Sequence, residues 1–274
     1  DRRMQQWVNT RLEQDKLKRI FVFSSPVAQY VMNSQATACR RVIDFVDVDS
    51  DKWGQYAQHK RWPLSWLYRR EAECLLAFEK KVATSFDASI FVSSAEADLF
   101  KRLLPETSGR VGFIDNGVDR DYFSPERDYD NPYDEQARVI VFTGVMDYWA
   151  NVHAVQWFAL HVFPLIRETV PSARFVIVGA RPAGEVRRLA SAPGVEVTGA
   201  VPDVRPYLAH AHAVAAPLRI ARGVQNKVLE AMAMAKAVVA SPAAVEGIEF
   251  TNPAELQVAD GEQQFAERAI RFLS

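Results

Sequence analysis

Short apolar runs alternate with longer stretches of helical periodicity along the chain. In the first half, runs rich in β-branched and aromatic residues predict strands at 20–23, 42–46, 89–92 and 111–114. In the second half, similar runs predict strands at 138–143, 174–178, 195–198, 213–216 and 237–240. Helical spacing predicts helices at 63–85, 152–169, 183–191, 203–209, 224–235 and 262–273. This alternation indicates an α/β fold with parallel sheets that are covered by helices and bind ligands at the carboxyl ends of their strands.

A change in character divides the chain into two parts. Residues 125–137 are polar and carry Pro125 and Pro132, which is typical of a linker. We therefore expect one Rossmann-like domain at 1–124 and a second at 138–274. The first part has only about four predicted strands, whereas a doubly wound domain usually has about six. We expect the first domain to be incomplete and to lack its amino-terminal piece.

Composition and charge exclude several classes of protein. The 274 residues are 49% hydrophobic and 24% charged, as in an ordinary globular protein. The 33 basic and 34 acidic side chains give a net charge of −1, which argues against a nucleic-acid partner. Cys39 and Cys74 lack the spacing of metal ligands, and two lone cysteines fit a reducing, cytoplasmic location. No apolar stretch reaches the length of about 18 residues that a membrane-spanning helix needs.

The helix predicted at 224–235 carries the strongest candidate for a ligand site. Gly223 is expected to open it, and Gly223, Lys227 and Glu230 are spaced i, i+4 and i+7 on one helical face. The N–H groups at a helix start attract phosphate, and glycine lets a ligand come close. Lys227 adds a positive charge, and the Glu230 carboxylate can accept hydrogen bonds from two ribose hydroxyls. The spacing fits a nucleotide-diphosphate clamp, and it also fits an ordinary surface pair of Lys227 and Glu230.

Several motifs occur in the order found in one enzyme family. The Asn-Gly-Val-Asp motif at 116–119 and the Tyr-Phe-Ser-Pro motif at 122–125 resemble the domain junction of retaining family-4-type glycosyltransferases. Three further regions resemble segments around the donor site of that family; they are residues 199–207, 223–233 and 237–248. Within the family the chain resembles sugar transferases associated with exosortase (PEP-CTERM) systems, through residues 44–53 and 142–151.

The resemblance implies a GT-B fold, in which two Rossmann-like domains bind the donor in the second domain and the acceptor in the first. It places Glu230 on the ribose and Lys227 on the pyrophosphate of a nucleotide-diphospho-sugar. It also implies that the backbone at Gly144 approaches the donor phosphates and that Val201 lines the base pocket. Asn151 completes this donor-binding set, because it belongs to the same matching segment as Gly144.

The chain departs from the family pattern at two places. Many relatives carry a glutamate that contacts the sugar eight residues before the ribose glutamate, and here that position is Arg222. Many also carry basic residues in the loop that here reads Met-Asp-Tyr at 146–148. The charge of the diphosphate must then be met by Arg219, Arg222 and Lys227. We expect Arg222 to act in catalysis, and Arg219 and Gly223 to contact the donor.

Asp44, Asp47, Asp49 and Asp51 cluster at the end of the second predicted strand. A continued strand would place the last three on one side, but we expect a loop here. Related enzymes often have a histidine or aspartate at this point, so the resemblance makes Asp47 the candidate that orients or deprotonates the acceptor hydroxyl. The alternatives are an acidic loop that caps the sheet and a site for a hard cation, and we expect no metal. His59 lies close enough in sequence to reach the same region.

Residues 60–70 interleave three aromatic and four basic side chains, and we call them the aromatic–basic segment. This composition suits a lipid–water interface, where a lipid-linked acceptor would be found. Peripheral contact with the inner face of a membrane is therefore expected. The alternative is a helix start whose aromatic side chains pack in the core.

These observations together predict a glycosyltransferase. We expect it to move a sugar from a UDP- or GDP-linked donor to a saccharide or lipid-linked acceptor with retention, in exopolysaccharide biosynthesis. The donor is a substrate, and no cofactor is expected. Two alternatives stay open: a sugar-nucleotide 2-epimerase of the same fold, and a non-catalytic scaffold that retains the nucleotide site.

Overall fold

In the computed structural model the chain separates into two units, Asp1–Asn116 and Gly117–Ser274. The structure describes residues 1–15, 17–32, 39–58, 60–221, 223–250 and 256–273. Each unit contains its own parallel sheet and its own apolar core. Residues 117–137, which include the predicted linker, group with the second unit.

The first unit is built on a parallel sheet in the order β1-β2-β3-β4. Its strands are β1 (Arg19–Phe23), β2 (Arg40–Val46), β3 (Ala88–Phe91) and β4 (Val111–Phe113). Its helices are α1 (Arg2–Gln14), α2 (Ser25–Met32), α3 (Asp49–Gln58), α4 (Leu64–Ser85) and α5 (Ser94–Leu103). Phe45 of β2 stacks on Phe91 of β3 with ring centroids 5.3 Å apart, and Phe100 of α5 packs against both rings. These rings lie in the core that joins the sheet to its helices.

The second unit is built on a six-stranded parallel sheet in the order β10-β9-β8-β5-β6-β7. Its strands are β5 (Arg138–Thr143), β6 (Ala173–Val178), β7 (Val195–Gly199), β8 (Ala213–Ala216), β9 (Ala237–Ala240) and β10 (Leu256–Val258). Its helices are α6 (Trp149–Trp157), α7 (Phe163–Thr169), α8 (Gly184–Leu189), α9 (Arg205–Ala209), α10 (Asn226–Ala233) and α11 (Glu262–Leu273). The order is that of a Rossmann sheet, in which chain progression reverses direction between β5 and β8.

The structure confirms the nine predicted strands and adds β10, which is only three residues long and has a glutamine at its centre. The helix predicted at 152–169 is divided by a π-helical segment, Phe158–Val162. Pro164 follows this segment near the start of α7 and has no N–H to donate to the carbonyl of Leu160, so regular α-helical bonding is interrupted there.

The predicted start of one helix is wrong, and the predicted acidic loop is only a short turn. Gly223 does not open a helix: its φ of +64° lies in the left-handed region, and α10 begins three residues later at Asn226. Gly223 therefore does not share a helical face with Lys227 and Glu230. The chain leaves β2 in a short turn at Asp47 and Val48, as expected. Asp49 and Asp51 already lie in the first turn of α3, where carboxylates interact favourably with the helix dipole.

The segment that leads into the second sheet is held against α9 within the second unit. The Arg205 guanidinium lies 3.8 Å from the ring centroid of Tyr122 and also binds Asp203. The Tyr133 hydroxyl donates a hydrogen bond of 2.8 Å to the carbonyl of Tyr207. Tyr122 and Arg205, which belong to two of the family-like motifs, thus hold this segment against α9. None of the described helices combines the length and apolar character that crossing a membrane requires.

Candidate functional site

The candidate donor site lies at the carboxyl edge of the second sheet, where β5 and β8 are neighbours. At such a switch point the connections from adjacent strands leave in opposite directions, and a crevice opens between them. Two loops begin here, one after Thr143 of β5 and one after Ala216 of β8. The predicted donor-binding residues fall in these loops, in the helices that follow them, or after β7.

Glycines let the loops at this edge approach each other closely. The Gly144 N–H donates to the carbonyl of Val178 at 3.1 Å, and the Gly179 N–H donates to the carbonyl of Gly199 at 3.1 Å. A Cβ on Gly179 would lie 1.6 Å from the Gly144 carbonyl oxygen, and one on Gly144 would lie 2.8 Å from Nδ2 of Asn151. The edge beside β5 is therefore lined by backbone that can approach a ligand.

Asn151 and Lys227 form a bridge across the switch point. The Lys227 ammonium donates a hydrogen bond of 2.7 Å to Oδ1 of Asn151, and Nδ2 of Asn151 donates to the carbonyl of Val145 at 2.9 Å. Lys227 Nζ also lies 4.7 Å from the ring centroid of Phe142, within cation–π range. The structure thus joins α6, α10 and the loop after β5 around one positive charge.

Burial alters the titration of both charged groups on α10. It lowers the pKa of Lys227 to about 8, although the neighbouring Glu230 carboxylate acts in the opposite direction. Burial also raises the pKa of Glu230, and Lys227 opposes that rise. In the part of the chain that the structure describes, no donor hydrogen-bonds the Glu230 carboxylate. This differs from an exposed i, i+3 ion pair, because both groups have lost water and a ligand could replace it.

The other predicted donor residues are dispersed. Val201 is partly buried beyond β7, two strands away from β5. Gly223 is buried ahead of α10. The Arg219 guanidinium lies 6.0 Å from the ring centroid of Trp157, and none of its contacts in the described chain is with Asn151, Lys227 or Glu230. Arg222 and His59 lie outside the described residues, so their predicted roles stay predictions.

Two residues near the switch point were missed by sequence reasoning. Thr143 is buried, and its hydroxyl has no hydrogen-bond partner in the described structure although it directly precedes Gly144. The sequence signal that could have indicated Thr143 is its position as a polar residue at the end of an otherwise apolar run. Arg181, in the loop after β6, pairs with Asp147 at 3.0 Å and places a further cation at this edge of the sheet.

In the first unit, Asp47 lies in a tight turn between β2 and α3. The Asp47 N–H donates to the carbonyl of Phe45 at 3.1 Å, and the intervening Val46 has a φ of +72°, which is a γ-turn. The next two aspartates are bound locally, Asp49 near Lys52 at 3.9 Å and Asp51 to Gln55 at 2.9 Å. Within the described residues, no three His, Cys, Asp or Glu side chains converge as metal ligands.

The aromatic–basic segment presents its tryptophans to solvent. Trp62 is 82% exposed and Trp66 is 59% exposed, and Leu64 and Leu67 beside them are exposed as well. Tyr68 instead packs against Trp53, with ring centroids 5.2 Å apart. The alternative in which the aromatic side chains pack in the core is therefore wrong for both tryptophans.

The strand order and the bridged switch point of the second unit define an α/β domain of the Rossmann type. A model of the family described as glycosyl transferases group 1 matches residues 137–274, just over half of the chain. The chain belongs to this family and is a glycosyltransferase, as predicted. No curated protein matches the chain.

Solved structures of glycosyltransferases and synthases share the fold. Anabaena HepE, solved with UDP and glucose, has a TM-score of 0.69 at 17% identity over 99% of this chain and 74% of its own. Sucrose-phosphate synthase from Thermosynechococcus elongatus has a TM-score of 0.69 at 14% identity over 95% and 65%. A UDP-forming trehalose-phosphate synthase from Burkholderia xenovorans has a TM-score of 0.67 at 15% identity over 99% and 70%. At these identities the likeness shows the α/β fold of GT-B enzymes, which confirms the predicted fold class.

Proposed function

We propose that this enzyme transfers a sugar from a UDP-linked donor to a saccharide acceptor with retention of configuration. The observation that carries the proposal is the bridge between Asn151 and Lys227 at the switch point, with the Glu230 carboxylate one turn further along α10. A diphosphate would place negative charge beside the Lys227 ammonium. Ribose hydroxyls would donate hydrogen bonds to the Glu230 carboxylate. UDP is favoured over GDP because HepE was also solved in complex with UDP-glucose.

The chemistry assigned to the chain is mainly electrostatic. The bond between the anomeric carbon and the diphosphate lengthens and breaks, while the acceptor oxygen bonds to the same face of that carbon. Lys227 and the backbone at Gly144 stabilise the charge on the departing diphosphate, and Arg219 and Arg222 are the further candidates for this role. Groups fixed before the reaction stabilise such charge without reorganisation during the step.

Asp47 is assigned to the acceptor. Its carboxylate would orient the acceptor hydroxyl and receive the proton that this hydroxyl loses as the new bond forms. The partly buried position of Asp47 after a parallel strand suits this role, because such positions present side chains at a sheet edge. The resemblance to exosortase-associated transferases supports exopolysaccharide assembly as the setting.

We also propose that the aromatic–basic segment contacts an anionic membrane surface on the cytoplasmic side, where a lipid-linked acceptor would be met. Two exposed tryptophans and the exposed side chains of Arg61 and Arg69 support this contact. Trp suits the interface between headgroups and acyl chains, and arginine suits anionic headgroups.

Calorimetric titration of UDP and uridine into Glu230→Ala tests the donor site. Each charge-assisted hydrogen bond to ribose is worth about 1.5–3 kcal/mol, so UDP affinity should fall by at least about tenfold. Uridine should lose the same factor, because both ligands carry the ribose. Glu267→Ala, on the exposed face of α11, is the matched control and should bind like the wild type.

Unchanged UDP affinity in Glu230→Ala would contradict the ribose assignment. Product analysis separates the enzyme classes: a glycosyltransferase needs an acceptor to consume UDP-glucose efficiently. Conversion of UDP-sugar to an epimer without acceptor would favour the epimerase, and binding without any turnover would favour the scaffold.

A further inference from the structure

The turn that presents Asp47 is held in an unfavourable backbone conformation. Val46 is β-branched, and a φ of +72° places its side chain against its own backbone. Three hydrogen bonds fix this residue and its neighbour. Val46 N–H donates to Oδ1 of Asp44 at 2.9 Å, the Val46 carbonyl accepts from Val92 N–H at 3.0 Å, and Asp47 N–H closes the γ-turn. Such conformations persist where the surroundings determine them, and they concentrate at functional sites.

Two buried glutamates from other helices bind the backbone immediately after Asp47. Oε2 of Glu96, on α5, accepts from the Val48 N–H at 2.7 Å. Glu79, on α4, is fully buried; its Oε1 accepts from the Ser50 N–H at 3.0 Å and its Oε2 from the Ser50 hydroxyl at 2.5 Å. The turn is thus attached to two separate helices at positions one and three residues beyond Asp47.

Stability alone does not account for these carboxylates. Burial raises the pKa of Glu79 to about 7, and the hydrogen bonds from Ser50 only partly oppose this rise. A buried carboxylate contributes little net stability, and an apolar side chain of similar size often stabilises a core at least as well. What the two glutamates provide is geometry, because each fixes one backbone N–H of the turn in space.

We propose that Glu79 and Glu96 are positioning residues, which fix the turn at 46–50 and thereby hold the Asp47 carboxylate in the orientation that acceptor activation requires. The inference rests on the proposed role of Asp47. Both glutamates bind backbone N–H groups of the turn, so their effect is expected on turnover rather than on donor binding. A shift of about 1 Å in a reacting group can lower a rate by about 100-fold, so modest loosening of the turn should be measurable.

The test compares Glu79→Gln, Glu96→Gln and Ser50→Ala with the wild type. We expect amide hydrogen exchange in the segment 44–52 to become at least about tenfold faster in each variant. With a saccharide acceptor present, we expect kcat for UDP release from UDP-glucose to fall at least about tenfold while KM for UDP-glucose stays within about twofold. Glu73→Gln, an exposed change on α4, is the matched control and should alter neither quantity.

The outcomes separate this inference from the proposed function. Unchanged exchange at 44–52 in all three variants would overturn the positioning role, whether or not UDP-glucose is turned over. Faster exchange with unchanged kcat would also overturn it, because the glutamates would then be structural only. Full activity in Asp47→Asn would instead refute the role of Asp47 itself. If Glu79→Gln fails to fold, Ser50→Ala decides the result, because it removes only one hydroxyl.

Discussion

Lys227 is the residue on which the proposed donor site depends most, because burial opposes its positive charge. Its ammonium is bound by Asn151 and lies against the ring of Phe142, and burial lowers its pKa to about 8. A free enzyme at pH 7 therefore carries this charge, whereas at pH 9 it has largely lost it. A diphosphate bound beside Lys227 would again favour the charged form of its side chain.

The affinity for UDP should therefore depend on pH. Affinity should be constant below about pH 8 and fall by up to about tenfold per pH unit above it, because binding must then first protonate Lys227. Calorimetry in buffers of different ionisation enthalpy should show net proton uptake on binding at pH 8.5. Lys227→Arg keeps the charge at every pH in this range, so its affinity should vary little between pH 7 and 9.

If UDP affinity falls with pH equally in the wild type and in Lys227→Arg, the titrating group is a residue other than Lys227. Loss of affinity in Lys227→Arg at pH 7 would indicate that the bond to Asn151 matters more than the charge. The two results are distinguishable, because the first concerns how UDP affinity changes with pH and the second concerns UDP affinity at pH 7.

Sequence spacing was sufficient to select Lys227 and Glu230 but not to describe their surroundings. A 3.6-residue period places two side chains on one face, whatever lies opposite. Asn151 lies 76 positions before Lys227, and only the parallel pairing of β5 with β8 brings α6 and α10 together. Glu79 and Glu96 were missed for a related reason, since charged side chains are normally assigned to the surface.

At the level of elements, the loops after β5 and β6 form one interlocked structure. Gly179 and Gly144 are in contact through their backbones, and the Met146 N–H donates to the Ala180 carbonyl at 2.8 Å. No side chain fits between the two loops. The distance between the two loops therefore fixes the position of the backbone at the switch point.

We predict that Gly179→Ala destabilises the second unit by about 2–4 kcal/mol, because its Cβ would collide with the Gly144 carbonyl oxygen, which cannot move aside easily. Gly199→Ala is the matched control: its φ of +74° is strained for alanine, but a Cβ there meets no atom within 4 Å. That variant should lose only about 1–2 kcal/mol. Urea unfolding followed by tryptophan fluorescence measures the free energy of unfolding of both variants. Equal losses would show that backbone strain, and not the collision with Gly144, determines the effect of the substitution.

The predicted elements were most accurate where apolar runs were long. β5 and β6 each present four consecutive apolar residues, which is typical of a strand buried on both faces. β10 has three residues and was missed, and the start of α10 was placed two residues early. Sequence does not fix whether Gly223 adopts a helical or a left-handed φ, because glycine allows both.

For the whole molecule, a net charge of −1 conceals a concentrated positive surface. Exposed Trp62 and Trp66 lie among four basic residues at the start of α4. The sequence shows this composition but does not tell whether the rings are exposed, since aromatic residues at helical spacing usually pack inward. The structure settles exposure at residues 62 and 66, and exposure is the property that membrane contact requires.

We predict that the protein binds vesicles containing phosphatidylglycerol more tightly than vesicles of phosphatidylcholine alone, with an affinity that falls as salt rises. Replacing both Arg61 and Arg69 by glutamine removes two cations worth about 1 kcal/mol each, so affinity should fall by about 30-fold. Trp62→Ala with Trp66→Ala should weaken binding in both kinds of vesicle, because ring insertion does not depend on headgroup charge.

Trp7→Ala on α1 is the control for exposure, because Trp7 is 59% exposed, as is Trp66, but lies outside the aromatic–basic segment. It should bind vesicles like the wild type. An equal loss in Trp7→Ala would show that any exposed tryptophan suffices and that the aromatic–basic segment is not the contact. Binding that ignores phosphatidylglycerol would exclude the electrostatic part of the proposal, since two exposed arginines at an anionic surface cannot be neutral in effect.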